Sequence, residues 1–295
     1  MQIRRRYSRS RLTLMDAVVG TILTLMALLV ILPFYNAIMI SFVTESEYFR
    51  NPFILFPHEP TLEAYTTLLD TGNILAGYGN TLIHIAIGLP ISMFITFALG
   101  YVLSRPAFPG RRFLYVFVLI TMLFSGGMVP SFLLIRSLDL MNTRWSVILS
   151  CLLSTYYVVL VTNFIRSLPG SLLESARLDG ANDFVILTRI IVPLSKAVIA
   201  VIALYILVGS WNSYMPAIIY LRNRDLYPLQ VILREILISG TSNLDSLTSG
   251  YDDFAAYSES VKYTTIILST LPVMVLYPFL QKFFVKGVML GAIKR

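Results

Sequence analysis

Six separate runs, each about 20 residues or longer and so long enough to cross a bilayer as a helix, occupy positions 17–43, 80–104, 113–135, 145–165, 197–221 and 263–284. A chain with this pattern has few options. Backbone N–H and C=O groups in hydrocarbon find no water, so each run must satisfy its own as a helix. Composition agrees, with 56% hydrophobic and 13% charged residues against about 25% charged in a soluble domain, and a mean hydropathy of +0.74. The sequence predicts an all-α membrane protein of six transmembrane helices. One membrane domain spans 17–286, preceded by a segment at 1–16 and followed by a tail at 287–295. Ser125-Gly126-Gly127 and Pro130 interrupt the third run and predict a kink or partial break there. The first run far exceeds the apolar core of a cleaved signal peptide, about 7–15 residues, so it is read as a retained span. Arg4-Arg5-Arg6 reads as a basic anchor rather than a twin-arginine signal.

The bases set an orientation. With six spans both ends lie on one side. That side carries Arg4, Arg5, Arg6, Arg9, Arg11, Arg105, Arg111, Arg112, Arg166, Arg177, Arg189, Lys196, Lys282, Lys286, Lys294 and Arg295. The other side carries only Arg50, Arg136, Arg144, Arg222, Arg224, Arg234 and Lys262. The positive-inside bias predicts cytoplasmic termini and a cytoplasmic loop at 166–196. It also accounts for the net charge of +7 without nucleic acid, since the bases form no single face. Cys151 alone makes no disulfide or cysteine-rich metal site. His58 and His84 lie 26 residues apart, without metal-ligand spacing, so no metal is expected. No nucleophile–base pair is expected in the spans either; His84 with Cys151 makes a poor one, which disfavours an intramembrane enzyme. Proton- or sodium-coupled carriers place acids or histidines deep in their spans, and these spans hold almost none. A secondary carrier is disfavoured, and the energy source is expected outside the bilayer region.

The polar segment Glu174–Pro193, ESARLDGANDFVILTRIIVP, is the exception in a chain that hides charge. Ser167-Leu168-Pro169-Gly170 breaks out of span four. Ser171 stands three residues before Glu174, the spacing of a capping box. Gly180 is placed to end that helix, and Asn182 or Asp183 to cap a second one, which Pro193 stops. The expectation is a helix–turn–helix on the cytoplasmic face. On the residues alone, an interfacial amphipathic connector whose Glu174 only caps its own helix remains open.

This segment resembles the EAA loop of permease subunits of bacterial ABC importers: E-A-A, three residues, G, nine residues, I, one residue, L-P. Glu174, Ala176, Gly180, Ile190 and Pro193 match, while Ser175 and Val192 replace an alanine and the leucine. The resemblance extends along the chain to the MalG-like carbohydrate permeases of binding-protein-dependent importers. It is carried by Phe56-Pro57-His58-Glu59-Pro60-Thr61-Leu62-Glu63-Ala64-Tyr65, by Asn80-Thr81-Leu82 opening span two, and by Leu138-Asp139-Leu140-Met141-Asn142-Thr143. Trp211-Asn212, Leu226-Tyr227-Pro228-Leu229 and Phe283-Phe284-Val285-Lys286-Gly287 complete it.

That resemblance implies a permease moving a sugar, an oligosaccharide by preference, across the bacterial cytoplasmic membrane by alternating access; another solute is the alternative. It implies a second homologous permease, two ATPase subunits and an extracellular or periplasmic solute-binding protein as partners, besides membrane lipid. ATP and Mg would sit on the ATPase, and this chain would bind no cofactor. Glu174, Ser175, Ala176, Arg177, Asp179, Gly180, Ile190 and Pro193 would form the ATPase-coupling loop over 167–196. A carboxylate at such an interface suits an arginine partner. The outer loop 222–262 would reach the binding protein, and the tail the ATPase dimer; on the residues alone a solvated loop and a frayed terminus remain the alternatives. Tyr205, Gly209, Asn212 and Pro216 share one helical face of span five, and Tyr156 shares a face with Asn163 in span four. These positions, Tyr205, Gly209, Asn212, Tyr156 and Asn163, are candidates to line the pathway; ordinary helix–helix contact is the alternative.

Overall fold

A computed structural model describes residues 14–70, 72–239 and 258–292, and among them every regular element is helical. The first run forms α1 (Leu14–Ile40), one uninterrupted helix. The segment between the first two runs contributes α2 (Glu45–Arg50) and α3 (Glu63–Asp70). The second run forms α4 (Asn73–Ser104), which starts seven residues before the predicted 80. Asn80-Thr81 therefore does not open this helix but lies buried inside it. Asn80 Nδ2 donates to the carbonyls of Asp225 at 2.7 Å and Tyr227 at 3.1 Å, and its Oδ1 accepts from Arg144 at 2.9 Å. Thr81 Oγ1 accepts from the Leu229 N–H at 2.9 Å. These side chains bind the outer loop to the second span.

The third run is not one span but α5 (Arg111–Leu123) and α6 (Met128–Ser137), turned through 114°. Gly127 takes φ +86°, a left-handed value that side chains resist, and Pro130 cannot donate to the ladder. The predicted break is thus a reversal. The fourth run divides as well, into α7 (Arg144–Ser150) and α8 (Thr155–Arg166), bent by 48°. No glycine or proline marks that break. Ser150, the last residue of α7, donates from Oγ to the Ser146 carbonyl at 2.5 Å.

The polar loop contributes α9 (Gly170–Leu178), α10 (Asp183–Val185), a π-helical turn (Ile186–Ile191) and α11 (Val192–Leu194). Pro193 does not stop this run. The chain turns at Ser195, and α12 (Lys196–Trp211) leaves at 85°. The fifth run ends in a separate short helix, α13 (Met215–Tyr220). The outer segment expected as a loop at 222–262 is in part ordered helix. After a 3-10 turn (Arg224–Leu226), α14 (Leu229–Ser239) buries Leu229, Val231, Ile232 and Ile236. Ser242, Asn243, Asp245, Ser246, Ser249, Asp252 and Asp253 of that segment lie outside the described residues. The last helix, α15 (Glu259–Ala292), begins with Glu259 and runs through the predicted tail boundary at 287. Among the described residues three helices are long and apolar enough to cross a membrane alone, and three bent pairs bring the number to six if each pair is one span.

Among the described residues two large buried clusters and two smaller ones hold this together. In one large cluster Leu68, Ile74, Ile85, Leu229, Ile232 and Val261 pack with Trp211. The Trp211 indole donates to the Ser269 carbonyl at 3.0 Å and tilts against Tyr78 at 5.9 Å, which joins α4, α12 and α15. The other large cluster joins Phe97, Tyr101, Val161, Ile165, Ile202 and Ile206 of α4, α8 and α12 to Ala176, Ile186 and Ile191 of the polar loop. For Ile186 and Ile191 of the polar loop, which water would otherwise reach, burial contributes about 1.5–3 kcal/mol each. The loop is therefore built into the bundle rather than hung beneath it.

A candidate coupling loop and translocation face

The capping box does not form. Pro169 is the N-cap of α9, so Ser171 falls inside the helix, and no side chain caps its start. Glu174 is consequently exposed, with no hydrogen bond or ion pair among the described residues. Leu178, one helical turn further along the same face, is 89% exposed. Ser175 Oγ donates to the Ser171 carbonyl at 2.9 Å, while Ala176 on the opposite side is buried.

The helix ends as its sequence predicts. Asp179 is the C-cap and Gly180 follows at φ +81°. The N–H of Gly180 donates to the Arg177 carbonyl at 3.0 Å, and that of Ala181 to the Ala176 carbonyl at 2.9 Å. This pair of bonds is a Schellman motif, and it needs a left-handed residue at Gly180. Asn182 caps the next helix, its Oδ1 accepting from the Val185 N–H at 2.8 Å. The π-helical turn then spaces two fully buried anchors, Ile186 and Ile191; Ile190 is half-buried beside them. Pro193 and Leu194 remain exposed at the turn into α12.

Asp183 ties the loop to the bundle. Its Oδ1 accepts from the Tyr101 hydroxyl at 2.6 Å, Arg105 at 3.1 Å and Arg177 at 3.2 Å. Arg105 also donates to the Tyr101 hydroxyl and lies 4.6 Å over its ring. The bond from Tyr101, followed by those from the two guanidiniums, holds the Asp183 carboxyl below its ordinary value despite an opposing cost of burial. Arg177 is thereby engaged within the chain. Neither Tyr101 nor Arg105 stands out in sequence reasoning; the signal available was an aromatic–arginine pair one turn apart at the end of a span.

The pathway candidates come together in part. Tyr205, Gly209 and Asn212 are all exposed along α12, so they share an open face as the spacing predicts. Tyr156 and Asn163 are exposed on α8. The residue that bridges the two helices, however, is Tyr157, stacked on Tyr205 at 6.1 Å with an interplanar angle of 11°. Tyr156 meets Tyr157 edge-on at 5.8 Å. Asn212 is the C-cap of α12, and its Nδ2 donates to the Val208 carbonyl at 2.9 Å. His84 and Cys151 line one small cavity of about 20 Å³ with Ser210 and Ser213. That space admits about one water, too little for a substrate.

The arrangement is that of a membrane transport subunit: broken spans, an exposed polar and aromatic stripe, and a folded polar loop locked into the bundle. Residues 88–290 match the family of binding-protein-dependent transport system inner membrane components, and the chain belongs to that family. It is 37% identical over 281 residues to the polygalacturonan/rhamnogalacturonan transport system permease protein YtcP of Bacillus subtilis, covering 95% of this chain and 98% of the relative. The arabinooligosaccharides transport system permease protein AraQ of Bacillus subtilis is 29% identical, with 92% of each chain covered. The crystal structure of a bacterial ABC transporter involved in the import of the acidic polysaccharide alginate contains a chain similar in fold. The TM-score is 0.83 at 30% identity, over 95% of this chain and 99% of that one.

Proposed function

We propose that this chain is the permease subunit of an ABC importer that takes up an oligosaccharide across the bacterial cytoplasmic membrane, with both termini in the cytoplasm. A second permease completes the pathway, two ATPase subunits bind and hydrolyse MgATP, and an external binding protein delivers the sugar. The relatives named for saccharide transport support the substrate class. One observation carries the coupling role. α9 presents a partnerless carboxylate, Glu174, beside an apolar Leu178 that is 89% exposed, with Phe184 nearby in sequence at 67%. Apolar groups exposed beside an unpaired charge on a folded loop suit a docking partner that bears a base. In this reading ATP draws the loops of the two permeases together. The Asp183 cluster and the core around Ile186 and Ile191 then carry that movement into α4, α8 and α12.

Co-purification tests it. Tagged wild-type protein is expected to bring down an ATPase and to support saccharide uptake. Glu174→Arg is expected to lose both while its membrane level is kept. Retention of ATPase association and uptake in Glu174→Arg would sink the coupling role, and a carrier or an enzyme would be largely indifferent to this change.

A further inference from the structure

Arg234 of α14 lies over the Tyr214 ring, 5.2 Å from its centroid, within the range of a cation–π contact. Tyr214 is 37% exposed and sits in the break between α12 and α13, two residues after Asn212, the last of the exposed positions Tyr205, Gly209 and Asn212. Among the described residues no carboxylate pairs with Arg234 and no acceptor takes its N–H groups. Its neighbours differ. Arg224 is held by Glu235 at 2.9 Å, and Lys262 by Glu259 at 2.5 Å. The acid nearest to Arg234 in sequence is therefore already engaged. A guanidinium held against an aromatic face keeps its planar fork of donors available, and that fork matches a carboxylate through two parallel bonds.

Resting on the saccharide reading above, we infer that Arg234, steadied by Tyr214, selects an anionic sugar at the outer end of the translocation face. Its ligand is the carboxylate of a uronic-acid unit. The three elements of the surface then have distinct tasks. The Tyr205 ring, backed by Tyr157, offers a flat apolar face to the sugar ring. Asn212 offers hydrogen-bonding groups at the helix end. Arg234 supplies the charge that a neutral sugar leaves unsatisfied. A site that hydrogen-bonds a substrate group discriminates strongly against analogues lacking it, because its own polar groups are left unpaired.

The test compares initial uptake of labelled trigalacturonate and its methyl ester by cells carrying the complete transporter. The readout is the acid-to-ester ratio, which a fold or expression defect leaves unmoved. Arg234→Gln is expected to lower that ratio about tenfold, the scale of one hydrogen bond to a charged group. Arg234→Lys, which keeps the charge but not the planar fork, is expected to retain only part of it, and Arg224→Gln, whose guanidinium is held by Glu235, to leave it unchanged. A wild-type ratio at or below one, or an unchanged ratio in Arg234→Gln, overturns the assignment. If the wild type takes up neither sugar but imports a neutral saccharide, the Arg234 assignment alone falls; if it imports only a solute that is not a saccharide, the saccharide reading falls and the Arg234 assignment with it.

Discussion

Asp183 Oδ1 accepts a 2.6 Å hydrogen bond from the hydroxyl of Tyr101, 82 residues earlier in the chain, and so joins the C-terminal end of the second span to the polar loop. The same oxygen accepts from Arg105 and Arg177, so one carboxylate gathers α4, α9 and α10.

Loosening that joint tests its contribution. Asp183 is 64% exposed, so Tyr101→Phe or Asp183→Asn is expected to cost only about 1 kcal/mol of thermal stability in detergent. The larger expected effect is functional: ATP hydrolysis persists in the assembled importer while uptake falls. The pH dependence has a defined sign. Because the folded-state carboxyl titrates below its ordinary value of 3.8, the unfolded chain takes up the proton first. The contribution is complete above 3.8 and is lost as pH falls through the folded-state value. Asp183→Asn is expected to abolish this acid-dependent component in melts recorded across that window. If it persists in the variant, another group is responsible.

Gly100 of α4 is a close-approach position. A methyl group there would lie 2.5 Å from Val161 Cγ1 and 2.9 Å from its Cβ. Alanine gains about 1 kcal/mol in helix propensity over glycine, but overpacking a well-filled interface costs about 1–3 kcal/mol. The β-branched Val161 is fully buried and cannot swing aside. Gly100→Ala is expected to destabilise the protein overall, and Gly100→Ala with Val161→Ala to recover part of the loss. A melting temperature unchanged in the single variant would contradict this packing.

Asn80 carries the outer loop. Its removal orphans the Asp225 and Tyr227 carbonyls and the guanidinium of Arg144, whose Nε is already unpaired. Asn80→Ala is expected to cost on the order of 3 kcal/mol. Asn80→Asp restores the acceptor for Arg144 but not the donors, so an intermediate loss is expected. Hydrogen exchange at the backbone N–H of Leu229, whose partner is the adjacent Thr81, should accelerate in both variants.

Local physics was legible in the sequence. The apolar runs, the break at Ser125–Gly127, the left-handed Gly180 and the Asn182 cap each depend on a few neighbouring residues. The last three appear as expected, whereas of the six runs only the first, second and sixth form single long helices and the other three are broken. The capping box at Ser171 failed for an equally local reason: Pro169 takes the N-cap two residues earlier. The run ahead of Pro193 continued because a proline is tolerated in the first turn of a helix, and α11 begins at Val192.

What only the tertiary structure decided is which side chains meet. Asp183 finds Tyr101 and Arg105, Tyr157 rather than Tyr156 stacks on Tyr205, and Arg234 finds Tyr214. None of these pairings has a sequence period, because each depends on where two helices cross and how a broken span is aimed. Apolar length and turn chemistry therefore determined that the chain is a polytopic helical membrane protein with a folded polar loop. Packing across distant helices decided where that loop is gripped and which polar groups face the open side.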